Sequence, residues 1–172
     1  MKERSGVLSV KRETVLTFLV LLVAAITAPI FIKQQLITGT IVNAAIIIGT
    51  VLSTRDGLLI GLLPSSLALA TGLLSPVLAP VVPFIILGNA ILVLTFAYFR
   101  KFNFWAGVAF GSFFKFTFLY ATSTVFIGLL APKLVAPVVT QMMTWPQLIT
   151  ALAGGLVAFG YFKLTGKLST IR

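Results

Sequence analysis

Residues 81–101 read VVPFIILGNAILVLTFAYFRK, and no charge falls between Val81 and Phe99 before Arg100 and Lys101 close the run. Wound as an α-helix, this run rises about 28 Å, close to the roughly 30 Å hydrocarbon core of a bilayer. The alternation of apolar and polar side chains that a barrel strand requires is missing. The segment is therefore expected to be a transmembrane helix, with Pro83 near its start and one amide, Asn89, on its surface.

The pattern recurs outward from there. Further apolar stretches run over 15–32, 36–53, 57–75, 104–130 and 146–162. The 172 residues are 59% hydrophobic and 9% charged, with a mean hydropathy of +1.12, values far from those of a soluble domain. The expected architecture is all-α: an integral membrane bundle of six transmembrane helices forming one domain over 1–172. The basic stretch MKERSGVLSVKRE has the charge of a secretory signal, but Lys33 follows the first run where a cleavage site would be needed. Hence 15–32 reads as a permanent span. The fifth run is too long for one perpendicular crossing, which implies tilt, a break near Gly128 or an extension beyond the bilayer. Pro64, well inside the third run, should kink its helix and free a carbonyl beside Ser65 and Ser66. Thr144 stands where it would cap the sixth helix, ahead of Pro146.

Charge orients these spans. Of 13 basic residues, Lys2, Arg4, Lys11, Arg12, Arg55, Arg100, Lys101, Lys163, Lys167 and Arg172 flank one side, whereas Lys33 and Lys133 flank the other and Lys115 lies inside a span. By the positive-inside rule both termini are expected to be cytoplasmic, in a cell membrane. The two long connections, LLSPVLAP and APKLVAPVVTQMMT, then face outward. A net charge of +10 would suggest nucleic acid in a soluble protein. Here the cations flank apolar runs, so the expected partner is the lipid bilayer and not nucleic acid.

Several chemistries are excluded. The chain has no Cys and no His, which removes thiolate nucleophiles, iron–sulfur ligation and the usual zinc sites. No catalytic residue, metal or cofactor is expected, and the chain does not read as an enzyme. The spans contain no Asp or Glu, which argues against a proton relay or cation pump and against an intramembrane protease built on paired Asp. There is no P-loop, so another subunit must supply the energy if anything is moved uphill.

What remains in the membrane is a short polar set: Asn43, Asn89 and Lys115, with Thr144, Trp145 and Gln147 at the start of the sixth span. Lys115 lies about 17 Å from the start of its span, too deep to snorkel easily. An ammonium there costs at least ~2.5 kcal/mol on insertion scales unless it is paired or hydrated. It either meets an anionic group of a bound solute, caps carbonyls freed near Pro64, or sheds its proton; the first reading is favoured. Asn43 and Asn89 lie at similar depth on different helices, where they either converge on one pocket or hydrogen-bond helices together. Trp145 reads more simply as an interfacial anchor. The pairs Ala24/Ala28, Gly57/Gly61, Gly107/Gly111 and Ala151/Gly155 allow close helix approach, most of them within the bundle.

Six short-looped helices, cytoplasmic termini, no ATPase motif and Ala24-xxx-Ala28 in the first span resemble the substrate-binding S component of an energy-coupling factor transporter. The segments LITGTIVNAAIIIG, VVPFIILGNAILV and TWPQLITALAGG are similar to a branch of that family with no assigned substrate. The resemblance implies a prokaryotic membrane protein that captures a vitamin or related micronutrient from outside. It also implies association with a T component and two ATPase subunits, Ala24 and Ala28 matching the family's contact with the T component. The implied pocket lies toward the outer side, with Asn43, Asn89, Thr144, Trp145 and Gln147 around it and Lys115 at its floor. The first outer connection, near KQQLITG, is short for a family that often places a lid there, leaving the fifth connection to serve. The alternative is a membrane scaffold without a ligand, whose polar groups only join helices.

Overall fold

The computed structural model describes residues 2–32, 34–72, 76–129 and 136–171. The described residues are all-helical, with no strand among them. The helices are α1 (Lys2–Phe31), α2 (Gln35–Leu52), α3 (Thr54–Ala70), α4 (Val82–Phe99), α5 (Phe104–Leu129), α6 (Ala136–Met143) and α7 (Trp145–Leu164). One 3-10 turn, Pro76–Val81, leads into α4, and another, Leu168–Thr170, follows α7. Among the described residues, five stretches are long and apolar enough to cross a membrane: Arg12–Phe31, Gln35–Leu52, Ala79–Phe99, Phe104–Val125 and Trp145–Leu164. This is an architecture consistent with a multi-pass membrane protein.

The expected spans and the helices differ in informative places. α1 carries the basic N-terminal stretch as continuous helix from Lys2. α3 begins at Thr54, ahead of the expected 57, because the Ser53 side chain accepts from the Arg55 N–H (3.2 Å) and caps it. It ends at Ala70, and Gly72 follows at φ 70°, the left-handed geometry that stops a helix; residues 73–75 of the expected span lie outside those described. At 17 residues, α3 is the shortest of the six expected spans. α5 is helical through Gly128, where a break was one expectation. The fifth connection contains a helix the sequence reading did not place: α6 buries Val139 and Met143 against Val81 and Leu119. Thr144 does stand at the N-cap of α7, but its hydroxyl donates back to the Thr140 carbonyl (2.6 Å) and caps nothing. The preceding helix α6 supplies that carbonyl, which an expected loop would not.

α2 sits at the centre, packing most extensively against α7 and also against α1, α3 and α4. Ile46, Ile47, Ile60, Leu92, Phe96 and Phe162 are buried where these helices meet. Three of the four small-residue pairs serve this internal packing: Gly57 abuts Thr50, Gly61 abuts Asn89, Gly107 and Gly111 abut Phe96 and Leu92, and Gly155 abuts Val108 beside buried Ala151. α1 is peripheral, turning Leu21, Ala25 and Ala28 inward and Val15, Val20 and Val23 outward. Phe110, Phe113 and Phe114 also face outward, as suits a surface wetted by lipid tails.

Candidate functional site

At the end of the bundle where α1 and α3 finish and α2, α4 and α7 begin, the helices splay around a cavity of about 160 Å³. Its wall is largely apolar, with Val42 of α2, Pro64 of α3, Val82 and Ile85 of α4 and Met142 of α6. Asn43, Asn89, Lys115 and Gln147 also line it, so four of the six sequence-predicted residues converge on one space. The remaining two do not line it. Thr144 is turned onto α6, and Trp145 is 58% exposed at the start of α7, the position of an interfacial anchor.

Lys115 is 2% exposed and donates to Asn43 Oδ1 (2.7 Å) and Asn89 Oδ1 (2.8 Å), joining α5 to α2 and α4. Chemistry fixes the direction of every bond around it. An ammonium only donates, so both amides must present oxygen to it and their NH2 groups elsewhere. Asn43 Nδ2 donates to Thr150 Oγ1 (3.1 Å), and the Thr150 hydroxyl donates on to the Gln147 carbonyl (3.3 Å). Asn89 Nδ2 donates to the Gly61 carbonyl (2.8 Å), in the turn of α3 that precedes Pro64. Thus Asn89, and not Lys115, reaches a carbonyl of α3; the alternative in which the lysine caps carbonyls freed near Pro64 has no such bond among the described residues, where Lys115 donates to Asn43 and Asn89. Gln147 Nε2 donates to the Met142 carbonyl, tying α7 to the end of α6.

Two of the three ammonium N–H groups are thereby used, both on neutral oxygens. The only acids in the sequence are Glu3, Glu13 and Asp56. Glu13 lies near Lys167 (3.6 Å) and Asp56 occupies the first turn of α3, both at the far end of the bundle. Interhelical hydrogen bonds in membranes are worth about 0.6 kcal/mol each, so the bonds of this network roughly offset the ~2.5–3.5 kcal/mol of inserting an ammonium at mid-depth. The network yields little net stability, and a neutral side chain would join the same helices without the charge.

Sequence reasoning missed Gln35, Thr38, Gly39 and Ser65 of the lining. Their signal was present: Gly39 and Asn43 are one turn apart, and Ser65 adjoins the proline already singled out. Of the Ala24/Ala28 pair, Ala28 is buried within the bundle and Ala24 is only half-buried at the flank of α1. Comparison with known protein families, with curated proteins and with solved structures finds no match to this chain. The class is therefore defined by fold and site alone: a helical protein with several membrane-capable helices around a cavity floored by a buried lysine.

Proposed function

We propose that the chain is the solute-capture subunit of an energy-coupling factor importer, taking a vitamin-like micronutrient from the outer side of a prokaryotic cell membrane. The observation that carries this reading is the buried Lys115 side chain, held on two amide oxygens at the floor of a cavity, with no carboxylate partner among the described residues. In this reading α3 also crosses the membrane, as the third of six spans, both termini are cytoplasmic, and the end rich in basic residues faces inward. The cavity then opens outward, where solute arrives, and α6 with Met142 flanks its mouth. The role is binding and delivery, not catalysis. A T component and two ATPase subunits would supply the energy.

Purification in mild detergent, followed by extraction and mass spectrometry, tests the capture role. The expected result is one small molecule at close to stoichiometric amount, or a vitamin within a panel that raises the melting temperature. An empty extract together with a silent panel would leave the scaffold reading in its place.

The partner surface has its own test. Because Ala24 sits at the flank of α1 while Ala28 is packed inside, Ala24→Trp is expected to abolish uptake in cells carrying the complete transporter and to leave binding by the purified subunit unchanged. Uptake at the unaltered rate would remove this face of α1 from the interface.

A further inference from the structure

We infer that the cavity selects a compact monocarboxylate, its carboxylate oxygen accepting the third N–H of Lys115 and its apolar body lying along Val42, Val82 and Ile85. This rests on the capture reading above and narrows it to a class of solute.

Charge comes first. Among the described residues Lys115 is the single basic side chain of the lining, and no acid lies at this end. A single anionic charge therefore makes the occupied site neutral. A phosphate monoester carries about −1.5 to −2 at pH 7 and would leave excess charge in a low-dielectric place.

Donors are in sufficient supply. One N–H of each of the Asn43, Asn89 and Gln147 amides is committed, to Thr150, Gly61 and Met142, and the Thr38 hydroxyl donates to the Ile32 carbonyl (2.7 Å). The remaining lysine N–H, with Ser65 and Gln35, whose side chains have no hydrogen bond among the described residues, can serve the two oxygens of a carboxylate.

Size sets the upper limit. A cavity of about 160 Å³ is near the ~150 Å³ that holds a benzene ring in an engineered apolar cavity and well below the ~300 Å³ and more of drug-sized sites. The part of the acid held inside the cavity is thus ring-sized or a short chain.

The test uses the purified protein with benzoate and hexanoate, the matching neutral amides benzamide and hexanamide, and inorganic phosphate, read by thermal shift and calorimetry. Both acids are expected to raise the melting temperature by several degrees and to bind at least tenfold more tightly than their amides, with phosphate silent. Asn43→Asp places a carboxylate of the protein itself against the ammonium, and is expected to weaken the acids at least tenfold without weakening the amides. Equal binding of acids and amides, tighter binding of phosphate, or unchanged acid affinity in Asn43→Asp would overturn the carboxylate assignment while leaving capture intact. If no probe binds, the assignment falls; if in addition no small molecule co-purifies and the vitamin panel is silent, the capture reading falls with it. The comparison of acid with amide is made on the unaltered chain, so a misfolded variant does not decide the matter.

Discussion

Lys115→Met is expected to lower the affinity for the captured solute by at least about thirtyfold while the melting temperature stays within a few degrees of the parent. Truncating one partner of a buried, hydrogen-bonded charge pair costs about 2–5 kcal/mol of binding, and each 1.4 kcal/mol is about tenfold. Stability moves in two opposed directions. Removing an ammonium from mid-bilayer depth is favourable by ~2.5–3.5 kcal/mol. Against this, Asn43 Oδ1 and Asn89 Oδ1 lose their shared donor, and a buried acceptor left unmade costs about 1–3 kcal/mol. Methionine fills a similar volume, so no cavity is added. Binding isotherms and thermal melts on the same preparation separate the two roles. Parental affinity in the variant would sink the site assignment, and a large drop in melting temperature would assign the lysine to joining α2, α4 and α5.

Much of the fold was legible because membrane helices announce themselves by length and hydropathy. The runs 36–53, 81–99 and 104–130 lie within a residue of α2, α4 and α5 at either end. The errors fall where local chemistry competes with hydropathy. Ser53 starts α3 early by capping it, and α6 is too short and too interrupted by Pro137 to be read as anything but loop. For the site, residue type and depth were enough to bring Asn43, Asn89, Lys115 and Gln147 together. Sequence could not show which of these residues bonds which. Capping of carbonyls near Pro64 was one alternative for Lys115, yet the side chain that reaches the Gly61 carbonyl is Asn89, because the rotation of α4 about its axis, and not its depth, decides which side chain meets α3. The same holds for Trp145, whose depth matched the site while its direction did not.

The closeness of α2 and α7 leads to the second large effect, because the site depends on it. A Cβ added at Gly154 would meet the backbone nitrogen of Ala44 at 2.8 Å and Asn43 Cβ at 2.8 Å. Neither can yield as a flexible side-chain end would: one is backbone within a helix, and the other is anchored by the bonds of Asn43 to Lys115 and Thr150. Gly154→Val must therefore push α7 away from α2. Overpacking of a close-packed interior typically costs about 1–3 kcal/mol, and a backbone obstacle puts this site at the upper end. The displacement also draws Thr150 from Asn43, so loss of solute binding should accompany the fall in melting temperature. Gly160, two turns along the same helix, supplies the control, since a Cβ there meets nothing within 4 Å. Gly160→Val changes helix propensity in the same way and should melt and bind like the parent. Matching melts for the two valine variants would show that the α2–α7 contact does not set the stability of the bundle. A Gly154→Val protein that melts early yet binds at full affinity would separate the packing from the site. The prediction is that neither occurs, because Asn43 belongs to both.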